Sequence, residues 1–140
     1  MKKTISVLML MSVFLLASCT NNFAVKNKAL VLSVEKFDNE VVAHSKDMYP
    51  DPEQQKMFSD FIKKNTKVEI DNVEVKDEDG SADLAITTPK QSVYPELKGI
   101  SGKDWKAKID ANMEVRKFKL TLKNIKKSWE VLEQKPVPAT

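Results

Sequence analysis

The feature that most constrains this chain is a change of period at Lys67: before it apolar residues recur every three or four positions, and after it they alternate with charged ones. Leu30, Val34, Phe37, Val41 and Met48 are spaced by four, three, four and seven, the stripe of an amphipathic helix that needs a surface to cover it. That helix is expected to start near Asn27, behind a short tether at 20–27, and to fray before Pro50. A second helix is signalled at once. Asp51 suits its cap, Pro52 its first position, and Gln54 is placed to reach back as in a capping box. Met57, Phe58, Phe61 and Ile62 form its expected buried side, and it is expected to stop around Asn65-Thr66.

Beyond Lys67 the chain reads as strands. Val73 and Val75 alternate with charged residues, Asp79-Gly80 is a two-residue hairpin signal, and Ala82, Leu84 and Ile86 alternate after it. With Asp79-Gly80 as the loop, Val75 falls opposite Leu84 and Val73 opposite Ile86, all on one face. Val68 and Ile70 have the other parity, so a bulge is expected near Asp71-Asn72. Residues 89–102, with two prolines and two glycines, read as irregular. Residues 103–114 admit two readings. Trp105, Ala107, Ile109, Ala111, Met113 and Val115 alternate as a strand would, whereas Ser101 with Asp104 resembles a capping box, Ile100 with Trp105 a hydrophobic staple, and Lys106 with Asp110 a helical ion pair. The cap, which acts at a defined offset, favours the helix. In the last hairpin Phe118, Leu120 and Leu122 alternate with polar residues, 124–127 break the pattern, and Trp129 and Val131 resume it. A four-residue loop sets Leu122 opposite Trp129 and Leu120 opposite Val131. These faces are all satisfied by an α+β fold in which two N-terminal helices pack on a curved antiparallel sheet of about four strands.

The first eighteen residues stand apart. Lys2 and Lys3 precede an apolar run, Ile5 to Ala17, that is short for a membrane span and ends in small residues, the layout of a cleavable export signal. Leu16-Ala17-Ser18-Cys19 resembles the lipobox of bacterial lipoproteins, in which the cysteine takes a thioether-linked diacylglycerol, the chain is cut before it, and the new amino end is acylated. The resemblance implies cleavage between Ser18 and Cys19, membrane attachment through lipid on Cys19, and residence in a bacterial cell envelope. With Thr20 rather than aspartate next, it implies the outer membrane, facing the periplasm, where the envelope has two membranes. An uncleaved membrane helix and an ordinary secretory leader with a free thiol are the competing readings. Cys19 is the only cysteine, so no intrachain disulfide is possible.

Removal of 1–18 leaves 122 residues, enough for one domain at 27–134 after a tether at 19–26 and before a tail at 135–140. It also leaves 21 basic against 20 acidic residues, so the basicity of the whole chain is mostly targeting sequence. No like-charge tract points to nucleic acid, and none is expected as a partner.

The paired helices, the strand hairpin and the closing FKLTLKNIKKSWEVLEQ, a polar turn followed by Trp129, resemble the NTF2-like or cystatin-like domains of small bacterial lipoproteins. That architecture hosts both enzymes and binding modules. A space between the first helix and the sheet, lined by Phe37, Val41, Leu84, Ile86, Phe118, Leu120 and Trp129, is expected either to be filled as core or to hold a small apolar ligand. An envelope protein is the other expected partner, met through an exposed strand edge or through 89–102.

For chemistry the candidates are few. His44, the only histidine, lies three residues from Asp47 and five from Tyr49, a spacing that a lyase or isomerase needs to converge in a pocket and that a solvated helix end explains more simply. Asp83 and Asp110 fall at outward positions. Asp77-Glu78-Asp79-Gly80 lacks the ligand pattern of a calcium loop, and no metal or cofactor is expected. Lys117, Lys119, Lys123, Lys126 and Lys127 gather on the outer face and turn of the last hairpin, where they would meet an anionic surface or simply water. A non-catalytic binding or interaction role is the expectation, with no catalytic residues.

Overall fold

The computed structural model describes the backbone of residues 2–138 and the side chains of residues 22–138, so the expectations at Ser18 and Cys19 concern side chains outside that range. Among the described residues the order is α1 (Lys2–Met48), α2 (Pro52–Lys64), β1 (Lys67–Lys76), β2 (Asp79–Pro89), α3 (Tyr94–Lys98), α4 (Trp105–Asp110), β3 (Met113–Ile125) and β4 (Ser128–Pro136), with single 3-10 turns before α3 and α4. The four strands form an open antiparallel meander in the order β1-β2-β3-β4; α1 packs on β1, β2 and β4, and α2 packs on α1. The fold is α+β.

The inward side of α1 repeats every four residues: Val25, Ala29, Ser33, Phe37, Val41 and Ser45 are all buried. Three of these six, Ala29, Ser33 and Ser45, are small or polar and do not register in a stripe of large apolar residues. Val34, expected inside, is instead 37% exposed. The helix also runs straight through 22–27, where a tether was expected, because Val25 is fully buried there. In α2 the Asp51 carboxylate accepts from the Glu53 amide at 3.3 Å and Pro52 opens the helix, as expected. Gln54 stays exposed, and Gln55 makes the return contact, donating to the Tyr49 carbonyl at 2.7 Å. Phe58 and Ile62 are fully buried and Phe61 packs beside them, while Met57 faces water.

The bulge between β1 and β2 is present: Asn72 and Val73 together oppose Ala82, and Asn72 takes a φ of 49°. It brings Val68, Ile70, Val73 and Val75 onto the core side together. The turn lies two residues earlier than expected, at Asp77-Glu78, so Val75 faces Gly80 and Ile70 faces Leu84. The displacement of pairing is even, so every side chain keeps its face. A similar change occurs in the last hairpin. Its loop is only Lys126-Lys127, both with positive φ, which sets Leu122 opposite Val131 and Trp129 opposite Asn124, and Glu130 opposite Lys123 rather than Thr121. β4 continues to Pro136, past the expected edge of the domain at 134.

Residues 89–102 are not irregular. They contain α3, which buries Tyr94 and Leu97. Residues 103–114 divide between the two readings: α4 ends at Asp110 and Met113 already belongs to β3. The Lys106–Asp110 ion pair forms, but neither Ser101 nor Asp104 caps through its side chain and Ile100 is exposed, so no staple forms. Trp105 is held instead by its indole N–H, which donates to the Leu97 carbonyl at 2.8 Å. Phe58 sits among Tyr49, Tyr94 and Trp105 at centroid separations of 5.1 to 6.0 Å, edge-on to Tyr94 and Trp105. Such pairs contribute about 0.5–1.5 kcal/mol each beyond the area they bury. This aromatic cluster ties the short helices to α2.

Candidate functional site

The inner face of the sheet is apolar at the hairpin end and becomes polar towards the start of β3. Leu84 pairs with Phe118 and Ile86 with Arg116, so continuing the inward alternation of Leu122, Leu120 and Phe118 back along β3 places Arg116 and then Glu114 beneath α1. Val115, which the alternation with Met113 assigns to the same set as the core residues, lies on the outer face and is 54% exposed.

Arg116 meets Glu40 of α1 through both terminal nitrogens, at 3.4 and 3.3 Å, and its guanidinium lies 5.7 Å from the centre of the Phe37 ring. Gln91 donates to the same Glu40 carboxylate at 3.1 Å. The Arg116 Nε is buried without a partner. Beside this pair a cleft of about 360 Å³ opens between α1 and the sheet. Ser33, Lys36, Phe37 and Glu40 form its helical wall, Ile86, Arg116 and Phe118 its floor, and Gln134 of β4 its far side. The volume falls at the lower end of the range of about 300–1,000 Å³ found for small-molecule sites. Lys36 reaches across to donate to the Gln134 side chain at 3.3 Å, and on the other side of that bridge lies a second cleft of about 280 Å³, where Leu32 faces Val131 and Leu132.

Of the side chains expected to line this space, Phe37, Ile86 and Phe118 do so. Val41, Leu84 and Leu120 are core, and Trp129 closes over Gly80 at the other end of the sheet. Arg116 is the functional residue that periodicity missed. It is the only arginine in a chain that otherwise uses lysine for every basic position, and it sits at an inward parity, two signals legible without coordinates.

His44, Asp47 and Tyr49 have separate surroundings. The His44 ring meets Tyr94 edge-on at 5.5 Å, Tyr49 packs on Phe58 with its hydroxyl buried and unpartnered, and Asp47 is exposed. Burial raises the Tyr49 hydroxyl and pushes Tyr94 up to about 12, the latter opposed by Arg116 and reinforced by Glu40 and Glu114. On the outer face Lys119 pairs with Asp83 at 3.0 Å. A hydrogen bond from Asn72, followed by that lysine, holds the Asp83 carboxyl below its ordinary value. Lys117 and Lys123 stand exposed on the same face, and Lys126 and Lys127 form the turn. Among the described residues no three His, Cys, Asp or Glu side chains gather as for a metal ion, and no helix is long and apolar enough to cross a membrane. No family model, curated protein or solved structure matches this chain.

Proposed function

We propose that this chain is a lipid-anchored lipoprotein of the bacterial cell envelope whose folded part, of the NTF2-like or cystatin-like kind, is a non-catalytic binding module. The observation that carries the binding role is the cleft between α1 and the sheet, lined by the apolar side chains of Phe37, Ile86 and Phe118 and by the positive charges of Lys36 and Arg116. A closed core would leave no room there, and the acid–base candidates His44, Asp47 and Tyr49 lie outside that space in separate surroundings. The anchoring role rests on Leu16-Ala17-Ser18-Cys19 behind an apolar leader, and acyl chains on one cysteine exceed the two-signal requirement for stable attachment.

The test is to express the full chain, label the cells with radioactive fatty acid, and purify the protein from the envelope. Label is expected on the protein and lost in Cys19→Ser. A small molecule released on denaturation is expected from the wild type and not from Gln134→Trp, in which an indole fills the cleft from the edge strand. Absence of label overturns the anchor; an empty wild-type cleft overturns the binding role.

A further inference from the structure

The bulge in β4 decides what faces Lys36. Val131 pairs with Leu122, Gln134 with Leu120, and the extra residue between them is Leu132. In a regular strand the residue two after Val131 points the same way, so Glu133 would face α1. The bulge turns Glu133 outward, where it pairs with Lys135 at 3.1 Å, and turns Gln134 inward in its place. Re-aiming a side chain beside a site is a recurrent use of bulges. Here it leaves the Lys36 ammonium facing a neutral amide, while the Glu133 carboxylate, paired with Lys135, stands at the margin of the second cleft.

The cleft therefore holds two cations, Lys36 and Arg116, against one anion, Glu40. Arg116 spends two of its five donors on Glu40, over long bonds. The site is short of one negative charge with hydrogen-bond acceptors. Apolar side chains lie on both sides of the Lys36–Gln134 bridge: Phe37, Ile86 and Phe118 on one, and Leu32, Val131 and Leu132 on the other, the latter beside Glu133, whose carboxylate is taken by Lys135.

We propose that the cleft binds an alkyl carboxylate, its head group between Lys36 and Arg116 and its chain passing under the Lys36–Gln134 bridge towards Leu132. A monoanion matches the single uncompensated charge, a planar carboxylate matches the arginine fork, and the second cleft gives the chain a place to lie. The inference rests on the binding role proposed above and names the ligand class for that site.

Octanoate, octanamide and inorganic phosphate, titrated into the full chain in lipid nanodiscs, test it. Arg116 is the only arginine, so its guanidinium gives a single unambiguous nitrogen-15 side-chain signal. Octanoate is expected to move that signal saturably, with an affinity at least about tenfold above that of neutral octanamide, the effect of one charge-assisted hydrogen bond. Lys36→Met, at an exposed position that leaves the core intact, is expected to remove that advantage, bringing the affinities for octanoate and octanamide together. Equal affinities for octanoate and octanamide overturn the carboxylate head and leave the binding role standing, and tighter binding of phosphate overturns the alkyl chain. No saturable shift with any probe overturns the inference whole, and the molecule released in the extraction experiment then decides the binding role separately.

Discussion

Arg116 shows how much one side chain changes the character of an otherwise apolar face. Planar and stacked near Phe37, it presents a fork that lysine cannot copy. Arg116→Met leaves the partly exposed Glu40 without its ion partner. It is expected to cost about 1–2 kcal/mol in urea unfolding, between the values for exposed and fully buried pairs, and Arg116→Lys is expected to recover only part. Tyr94 reports on the same region. An unfolded tyrosine ionises near ~10, whereas the folded hydroxyl keeps its proton to about 12, so the stability contributed by the neutral ring is fully present below ~pH 10 and is lost as pH rises through about 12. Tyrosinate absorbance of the folded protein is therefore expected to lag behind that of the unfolded chain, and Tyr94→Phe to flatten the fall in stability across that window. Core residues such as Phe58, Ile62 and Leu120 are legible from spacing because burial of a large apolar side chain is worth about 1.5–3 kcal/mol wherever it sits. Ala29, Ser33 and Ser45 carry no such signature, though they let α1 lie close to its neighbours.

At the scale of elements, alternation settled which face of each strand turns inward and did not settle where the turns fall. Asp79-Gly80 has the chemistry of a hairpin loop, yet Gly80 is needed inside the sheet: a Cβ there would sit 3.2 Å from the Trp129 ring. The turn passes to Asp77-Glu78, where Asp77 accepts a φ of 55°. Gly80→Val is expected to destabilise by about 1–3 kcal/mol through overpacking against Trp129, measured as a lower urea midpoint at unchanged slope. The last hairpin accepts a poorer loop, since Lys126 and Lys127 both occupy the left-handed region that asparagine and glycine tolerate best. The double change Lys126→Asn, Lys127→Gly is expected to raise stability by about 1 kcal/mol or more and to leave the cleft untouched. No composition rule marks two adjacent lysines as a turn, so a longer loop was the natural reading of 124–127. The bulge at Asn72 was legible because Val68 with Ile70 and Val73 with Val75 have opposite parity and need an extra residue between them; the one at Leu132 was hidden, because Val131, Leu132 and Glu133 present no such conflict.

For the whole molecule, two helical stripes and four one-sided strands left few ways to bury every apolar face, so the class of fold followed from pattern alone. The cleft did not. It arises where α1 stands off from the edge strand, a distance set by Lys36, Gln134 and the β4 bulge together. The reach of α1 back to Val25 matters as well. Val25→Ala is expected to cost about 1–2.5 kcal/mol, and deletion through Lys26 at least as much, read as a lower melting temperature. Val25 is the first fully enclosed side chain among those described, and it lies only six positions from Cys19, a reach of about 20 Å even when fully drawn out. With lipid on Cys19, the folded body rides on a short leash. On the attachment proposed above it would sample a thin shell of fluid over the bilayer, and what it met first would be what the membrane itself sheds or gathers.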